Sequence, residues 1–125
     1  AVAEFLDRHD MVKSVNYCGL IGNKYYSLAK KYMPNGTCGV VTFSAKGGRK
    51  NAETFMSNLK LAAIVTHVAD SRTSVLHPAG STHRQMNDQE LAAAGVTSDM
   101  IRLSVGIEDI SDILQDLENA LSTIR

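Results

Sequence analysis

The sequence has no excess of charge of either sign, because Lys plus Arg and Asp plus Glu both number 13 and the formal net charge is zero. A domain that binds nucleic acid usually carries a marked excess of Lys and Arg, so this balance argues against such a partner. No apolar run approaches the roughly 20 residues that span a bilayer. The charged, amphipathic start of the chain is unlike a secretory signal. We therefore expect a cytoplasmic protein with no nucleic-acid or membrane partner.

Cysteine is scarce as well, with only Cys18 and Cys38 in the chain. Two thiols without a secretory signal are expected to stay reduced, and their spacing fits no zinc-binding pattern. We expect both to be small, half-buried side chains that pack like apolar residues. Familiar catalytic motifs are also missing, since the chain has no G-x-S-x-G, no P-loop and no G-x-G-x-x-G.

What the sequence does have is the composition and patterning of a globular domain. Hydrophobic residues make up 44% of its 125 residues, and no repeat or linker divides it, so we expect one domain over residues 1–125. Periodicity predicts helices at about residues 1–9, 24–33, 49–59, 88–94 and 110–124. It predicts strands at about residues 14–17, 38–44, 63–68, 74–76 and 99–105. This order favours an α+β fold, a small mixed or antiparallel sheet with helices on one face.

Two segments carry more specific expectations. The second helix has one apolar face; it consists of Tyr25, Leu28, Ala29 and Tyr32. Residues 70–87 are polar and form a long loop around the short fourth strand, and loops of this length in compact domains are often functional.

Strand alternation singles out one arginine as a candidate ligand-binding residue. Ile101, Leu103 and Val105 share the face expected to meet the core, which puts Arg102 and Ser104 on the other face. A guanidinium among apolar neighbours needs a partner, and its five donors suit an anion, above all a carboxylate held by two parallel hydrogen bonds. A solvated arginine, or one paired with a local Asp, would fit the same pattern.

Two other patterns have simpler explanations than a ligand site. His67, His77 and His83 are spaced unlike any local metal-ligand motif, so we expect loop or surface histidines and no metal. The pair Gly47-Gly48 before a helix could cradle a phosphate, but a turn is the commoner reason for two such glycines.

Two motifs carry a family resemblance. One is H-P-A-x-x-T-H, from His77 to His83, and the other is R-L-S-V-G-I-E-D, from Arg102 to Asp109. With residues 67–76 and the short segments 15–17, 23–26, 39–43 and 46–49, they resemble the C-terminal domain of the Cys/Met-metabolism enzymes that use pyridoxal phosphate (PLP). The resemblance covers essentially the whole chain. It is strongest to those members that replace the acetoxy group of O-acetylhomoserine with sulfide or a thiol.

The resemblance implies a fold-type-I PLP enzyme of the α/β class, normally a homotetramer, that acts on a small amino-acid substrate. It implies that Arg102 binds the substrate α-carboxylate. His67 lies where related lyases have a serine that assists with this carboxylate, so it is a second, less certain contact. The loop that holds His77 and His83 matches a family loop near the mouth of the active site and is taken as structural.

The same resemblance implies that essential parts lie elsewhere. In the family, the Schiff-base lysine, the aspartate on the pyridinium nitrogen and the phosphate-binding loop belong to a larger upstream domain, and neither Lys24 nor Lys46 matches that lysine. We therefore expect this chain alone to be inactive, to hold no covalent cofactor and to self-associate through apolar surface. Two other functions fit: a free-standing module that binds a small anionic amino acid through Arg102, or a domain of a sibling enzyme.

Overall fold

The computed structural model describes residues 1–124, in which short helices and strands follow one another along the chain. The helices are α1 (Val2–Arg8), α2 (Tyr26–Tyr32), α3 (Gly48–Asn58), α4 (Asp88–Ala93) and α5 (Ile110–Leu121), with a 3-10 turn at Pro78–Gly80. The strands are β1 (Val12–Asn16), β2 (Val40–Ala45), β3 (Ala63–Ile64), β4 (Ser74–Leu76) and β5 (Met100–Ser104). No helix within residues 1–124 is both long and apolar enough to cross a membrane.

The strands form one mixed sheet in the order β1-β2-β5-β4-β3. β2 is antiparallel to both β1 and β5, and β4 is antiparallel to β5 and parallel to β3. This architecture confirms the predicted α+β fold with its small mixed sheet. Because β5 lies in the middle of the sheet, its side chains have strand neighbours on both sides.

One face of the sheet carries the hydrophobic core. Phe43 of β2 meets Phe55 of α3 edge to face, with 5.5 Å between the ring centroids, and Ile101 and Leu103 of β5 are completely buried. Three helices, α1, α3 and α5, cover this face. Their buried core residues are Val2, Ala3, Leu6, Ala52, Phe55, Met56, Ile113, Leu117, Ala120 and Leu121. The buried residues of α5 recur at intervals of three or four residues, as expected for a helix with one face in the core.

The apolar face of the second helix is largely exposed. Ala29 is buried, but Tyr25, Leu28 and Tyr32 are 51%, 50% and 70% exposed. The cause is the position of α2, which lies in the connection between β1 and β2, away from the three helices that cover the sheet. Amphipathic spacing indicates a helix with an apolar face, but it does not show that the chain supplies a surface to cover that face.

The strand predicted over residues 63–68 is wrong beyond Ile64. Its partner β4 has three residues, and the backbone pairing ends where Val65 N–H donates to the Val75 carbonyl at 3.2 Å. Further along, the Thr66 and His67 carbonyls accept hydrogen bonds from the side chain of Arg102 instead. A β-branched run indicates a preference for strand, but the length of a strand depends on its partner.

A buried carboxylate joins the last helix to the connection between α3 and β3. Asp116 of α5 is 8% exposed and accepts hydrogen bonds from the backbone N–H groups of Lys60, Leu61 and Ala62, at 2.8, 3.0 and 3.1 Å. These three donors follow the end of α3, where the chain turns back into the sheet. Asp116 therefore fixes the turn and offsets the cost of its own burial.

We expect Asp116→Ala to lower the free energy of unfolding by about 2–3 kcal/mol, because it leaves a group of backbone donors without an acceptor. Asp112→Ala is the matched control, since Asp112 is exposed on the same helix and its removal should cost less than about 1 kcal/mol. Urea denaturation of both variants measures the difference. Equal losses in the two variants would contradict the role given to Asp116.

Candidate functional site

The sheet face opposite the core is polar. Cross-strand pairing aligns Asn16, Thr42, Arg102 and Leu76 in one row across β1, β2, β5 and β4. Because alternate residues of a strand share a face, the same face carries further small polar side chains; these are Ser14, Ser44, Ser74 and Ser104. Ser44, Ser74 and Ser104 are buried. The members of this face that stay at least partly exposed, and can offer hydrogen bonds to a polar ligand, are Ser14, Asn16, Thr42 and Arg102.

The guanidinium of Arg102 is held by backbone carbonyls. Its Nη2 donates to the Thr66 carbonyl at 2.7 Å and to the His67 carbonyl at 3.5 Å, and the residue is half-buried. Among residues 1–124, no carboxylate lies within ion-pair distance of it. The carbonyls fix the orientation of the group without cancelling its charge, so the site retains one oriented positive charge suited to an anion.

Two buried serines hold the segment that contacts Arg102. Ser104 Oγ accepts a hydrogen bond from Ala69 N–H at 2.9 Å, and Ser74 Oγ donates to the His67 carbonyl at 2.9 Å. Both serines are 2% exposed and are directly paired between β4 and β5. Ala69 has a φ of 57°, a conformation that costs energy for a residue with a side chain. The sheet thus fixes residues 66–69, and these fix Arg102.

A carboxylate, that of Glu108, binds the residue that precedes β4, next to residues 66–69. Glu108 accepts hydrogen bonds from Thr73 N–H and from the Thr73 hydroxyl, both at 2.7 Å. Burial alone would raise the pKa of the Glu108 carboxyl, but the hydrogen bonds from Thr73 outweigh it and lower the pKa overall. Thr73 Oγ1 also accepts from Gly106 N–H at 2.9 Å, so the ends of β4 and β5 are tied together.

The histidines do not form a cluster. His67 has an exposed side chain, and it is its carbonyl that meets Arg102. His77 is buried, with Nε2 bonded to the Ser98 carbonyl at 2.9 Å, and His83 Nδ1 lies 2.8 Å from the Thr82 hydroxyl. Within residues 1–124, no three His, Cys, Asp or Glu side chains are grouped so that they could hold a metal ion.

The remaining sequence candidates have structural surroundings of their own. Gly47 and Gly48 both have positive φ, 85° and 73°, and form the turn that begins α3, where Asn51 Nδ2 donates to the Lys46 carbonyl at 2.8 Å. Cys18 is half-buried as expected, but Cys38 is exposed, so the expectation that both thiols are half-buried is wrong for Cys38. The cause is its place in the connection just before β2 begins, beyond the end of the sheet.

Sequence reasoning missed the residues that support Arg102. The parity of β5 already placed Ser104 on its face, but nothing local shows that Ser104 and Ser74 hold residues 66–69. The pairing of Thr73 with Glu108 is equally hidden, because these residues lie far apart in the chain and meet only when β4 and β5 are neighbours.

We expect Gly106→Ala to lower the free energy of unfolding by about 1–3 kcal/mol, the usual cost of overpacking. A Cβ at Gly106 would lie 2.5 Å from Thr73 N and closer still to the Ser71 carbonyl and the Glu108 carboxylate. Gly22→Ala is the control, because a Cβ there has no described atom within 4 Å, and it should change stability by less than about 0.5 kcal/mol. Thermal or urea unfolding compares them, and a Gly106→Ala variant as stable as the control would refute the close packing.

Known proteins share both the sequence and the fold. The sequence profile of the Cys/Met metabolism PLP-dependent enzymes matches residues 1–122. An O-acetyl-L-homoserine sulfhydrylase of Leptospira meyeri is 45% identical over 124 residues, and a homocysteine synthase of Schizosaccharomyces pombe is 45% identical over 121. An L-methionine gamma-lyase of Treponema denticola is 40% identical over 124 residues. These matches take in 97–98% of this chain but 28–30% of each relative.

A solved structure gives the same result. The crystal structure of a putative O-acetylhomoserine (thiol)-lyase from Campylobacter jejuni, which contains N'-pyridoxyl-lysine-5'-monophosphate, superposes with a TM-score of 0.89 at 38% identity. The match covers 97% of this chain and 29% of that one. Since the family profile takes in nearly the whole sequence and the fold agrees, the chain belongs to the Cys/Met-metabolism family of PLP-dependent enzymes.

Proposed function

We propose that residues 1–125 form the C-terminal, substrate-binding domain of an enzyme that replaces the acetoxy group of O-acetylhomoserine with sulfide or a thiol, in homocysteine and methionine biosynthesis. Arg102 binds the α-carboxylate of the amino-acid substrate. The observation that carries this proposal is the state of its guanidinium: it is oriented by the Thr66 carbonyl at 2.7 Å, and no carboxylate of residues 1–124 neutralises it.

The geometry of the guanidinium supports a carboxylate ligand. Within residues 1–124, the Arg102 guanidinium donates hydrogen bonds through Nη2 alone, so the donors on Nε and Nη1 remain for a ligand. Asn16 and Thr42 lie in the same row and extend the polar surface beside it. The exposed imidazole of His67 is proposed as a weaker second contact, because its own carbonyl is already bonded to Arg102.

The proposal assigns the cofactor to the rest of a longer polypeptide. PLP, when bound, serves as an electron sink for bond changes in the substrate. The residues described here do not suit its attachment, since a Schiff-base lysine works best in a desolvated pocket and every lysine of this chain is exposed. The chain spans about 28% of the length of its relatives. We therefore expect the chain alone to hold no covalent cofactor and to be inactive.

Exposed apolar side chains in the connection between β1 and β2 indicate protein partners. Ile21, Tyr25, Leu28 and Tyr32 are at least 50% exposed along the connection between β1 and β2, and exposed apolar side chains that lie together are typical of surfaces that a partner covers. We propose that the PLP-binding part of the same polypeptide and a second copy in a homo-oligomer cover such surfaces, in a cytoplasmic enzyme.

A sibling reaction is the second candidate. The L-methionine gamma-lyase of Treponema denticola is 40% identical, close to the 45% of the sulfhydrylase from Leptospira meyeri. The sequence of this domain alone therefore gives little basis for choosing between the two reactions. A cystathionine γ-synthase reaction would use the same carboxylate contact. A free-standing binding module would also use Arg102, but would then need no PLP domain on the same polypeptide.

We expect Arg102→Lys in the full-length enzyme to raise KM for O-acetylhomoserine about 10- to 100-fold. Lysine keeps the charge but loses the planar pair of donors, and a charge-assisted hydrogen bond contributes about 1.5–3 kcal/mol, at roughly 1.4 kcal/mol for each tenfold change. Steady-state kinetics with sulfide as second substrate measure it. Arg8→Lys, an exposed change on α1, is the control, and His67→Ala should raise KM less than Arg102→Lys. An unchanged KM in Arg102→Lys would reject the carboxylate contact.

We expect this chain alone, mixed with PLP and borohydride, to show no reduced adduct at one defined lysine, because its lysines are all exposed and none is set apart by burial. The full-length enzyme in the same experiment should be labelled at one lysine outside residues 1–125. Peptide mass mapping makes the comparison. Stoichiometric labelling of a single lysine within residues 1–125 would show that the chain holds its own cofactor.

A further inference from the structure

The two cysteines lie where the connection between β1 and β2, residues 17–39, leaves and re-enters the sheet. The strand register pairs Val15 with Phe43 and Asn16 with Thr42. Beyond Asn16 the chain turns, with Leu20 N–H donating to the Tyr17 carbonyl at 3.1 Å, and the Cys18 thiol lies beside the Cys38 side chain. The thiol of Cys38 donates to the Val40 carbonyl at 3.7 Å, so both sulfur-bearing side chains reach the same point at the base of the connection.

The residues around the cysteines are in direct contact. The Tyr17 hydroxyl donates to the Cys38 carbonyl at 2.9 Å and also meets the Thr37 hydroxyl. A Cβ added at Gly19 would lie 3.0 Å from Thr37 Oγ1. Residues 17–19, which leave the sheet, are therefore packed against residues 37–38, which return to it. Cys18 and Cys38 belong to these two adjacent segments.

The two thiols differ in access. Cys38 is exposed, Cys18 is half-buried, and neither is in a disulfide. Burial and the neighbouring Cys38 side chain together raise the pKa of the Cys18 thiol. A reagent in solution thus meets Cys38 first, and Cys18 is the second thiol of the pair.

We infer that Cys18 and Cys38 form a reversible intramolecular disulfide by exchange with small-molecule disulfides such as oxidised glutathione. The Cys38 thiolate attacks one sulfur of the small disulfide and expels one thiolate. Cys18 then loses its proton and attacks the Cys38 sulfur of the mixed disulfide, which expels the second thiolate. Two protein thiols are oxidised to one disulfide, and the small disulfide is reduced to two thiols.

Closure of this bond would pin the base of the connection that carries α2. The connection spans residues 17–39, and α2 lies in its middle. Asn23 Nδ2 donates to Asn16 Oδ1 at 3.0 Å, and Asn16 lies in the same sheet row as Arg102. The redox state of the pair thus acts on a segment bonded to the polar sheet face, and this inference stands whether or not Arg102 binds a carboxylate.

The experiment treats the reduced full-length protein with oxidised glutathione, followed by digestion with trypsin and mass spectrometry. The expected product joins the peptides 14–24 and 32–46 with the loss of two hydrogens, and reduced thiol restores the separate peptides. Cys18→Ser should instead trap one glutathionyl group on Cys38, and Cys38→Ser should leave Cys18 unmodified. Separate glutathione adducts on both cysteines of the wild type, or no reaction, would overturn the inference.

A second measurement tests the consequence for α2. In the native oxidised protein, amide hydrogen exchange over residues 20–36 should slow several-fold relative to the reduced protein, and Cys18→Ser should show no such protection. A disulfide that forms without any change in this exchange would overturn the claim that it restrains the connection.

Discussion

The contact on which the polar side of this domain depends is the one between the Arg102 guanidinium and the carbonyls of Thr66 and His67. A carboxylate partner would have held the side chain equally well but would have cancelled its charge. Carbonyls orient it and leave the full charge in place. The short β3, the turn with the strained Ala69 and the two buried serines all serve to bring these carbonyls to the middle of the sheet.

The two faces of the sheet differ in composition and cover, and the binding role is proposed for only one of them. The core face is covered by α1, α3 and α5, and a buried carboxylate at Asp116 fixes the turn between α3 and β3. The opposite face is polar and less completely covered, with Arg102 in the central strand. A rigid central strand suits a binding residue, because its neighbours on both sides limit how far the side chain can move.

The sequence predicts those parts of the fold that depend on the periodicity of a single helix or strand. The apolar spacing of α5 and the alternation of Ile101, Arg102 and Leu103 both had the predicted result, since each depends on one element and one buried face. The face of α2 and the length of β3 could not be predicted, because each depends on whether a partner exists elsewhere in the chain. The contacts of Asp116 and of Ser104 join distant segments, which no local pattern reveals.

The most direct test of the account is a crystal structure of the full-length enzyme with an unreactive amino-acid analogue of its substrate. The carboxylate of the analogue is expected within hydrogen-bond distance of the Arg102 guanidinium, with the contact to the Thr66 carbonyl retained. A carboxylate bound elsewhere, with Arg102 contacting only backbone carbonyls or a protein acid, would contradict it.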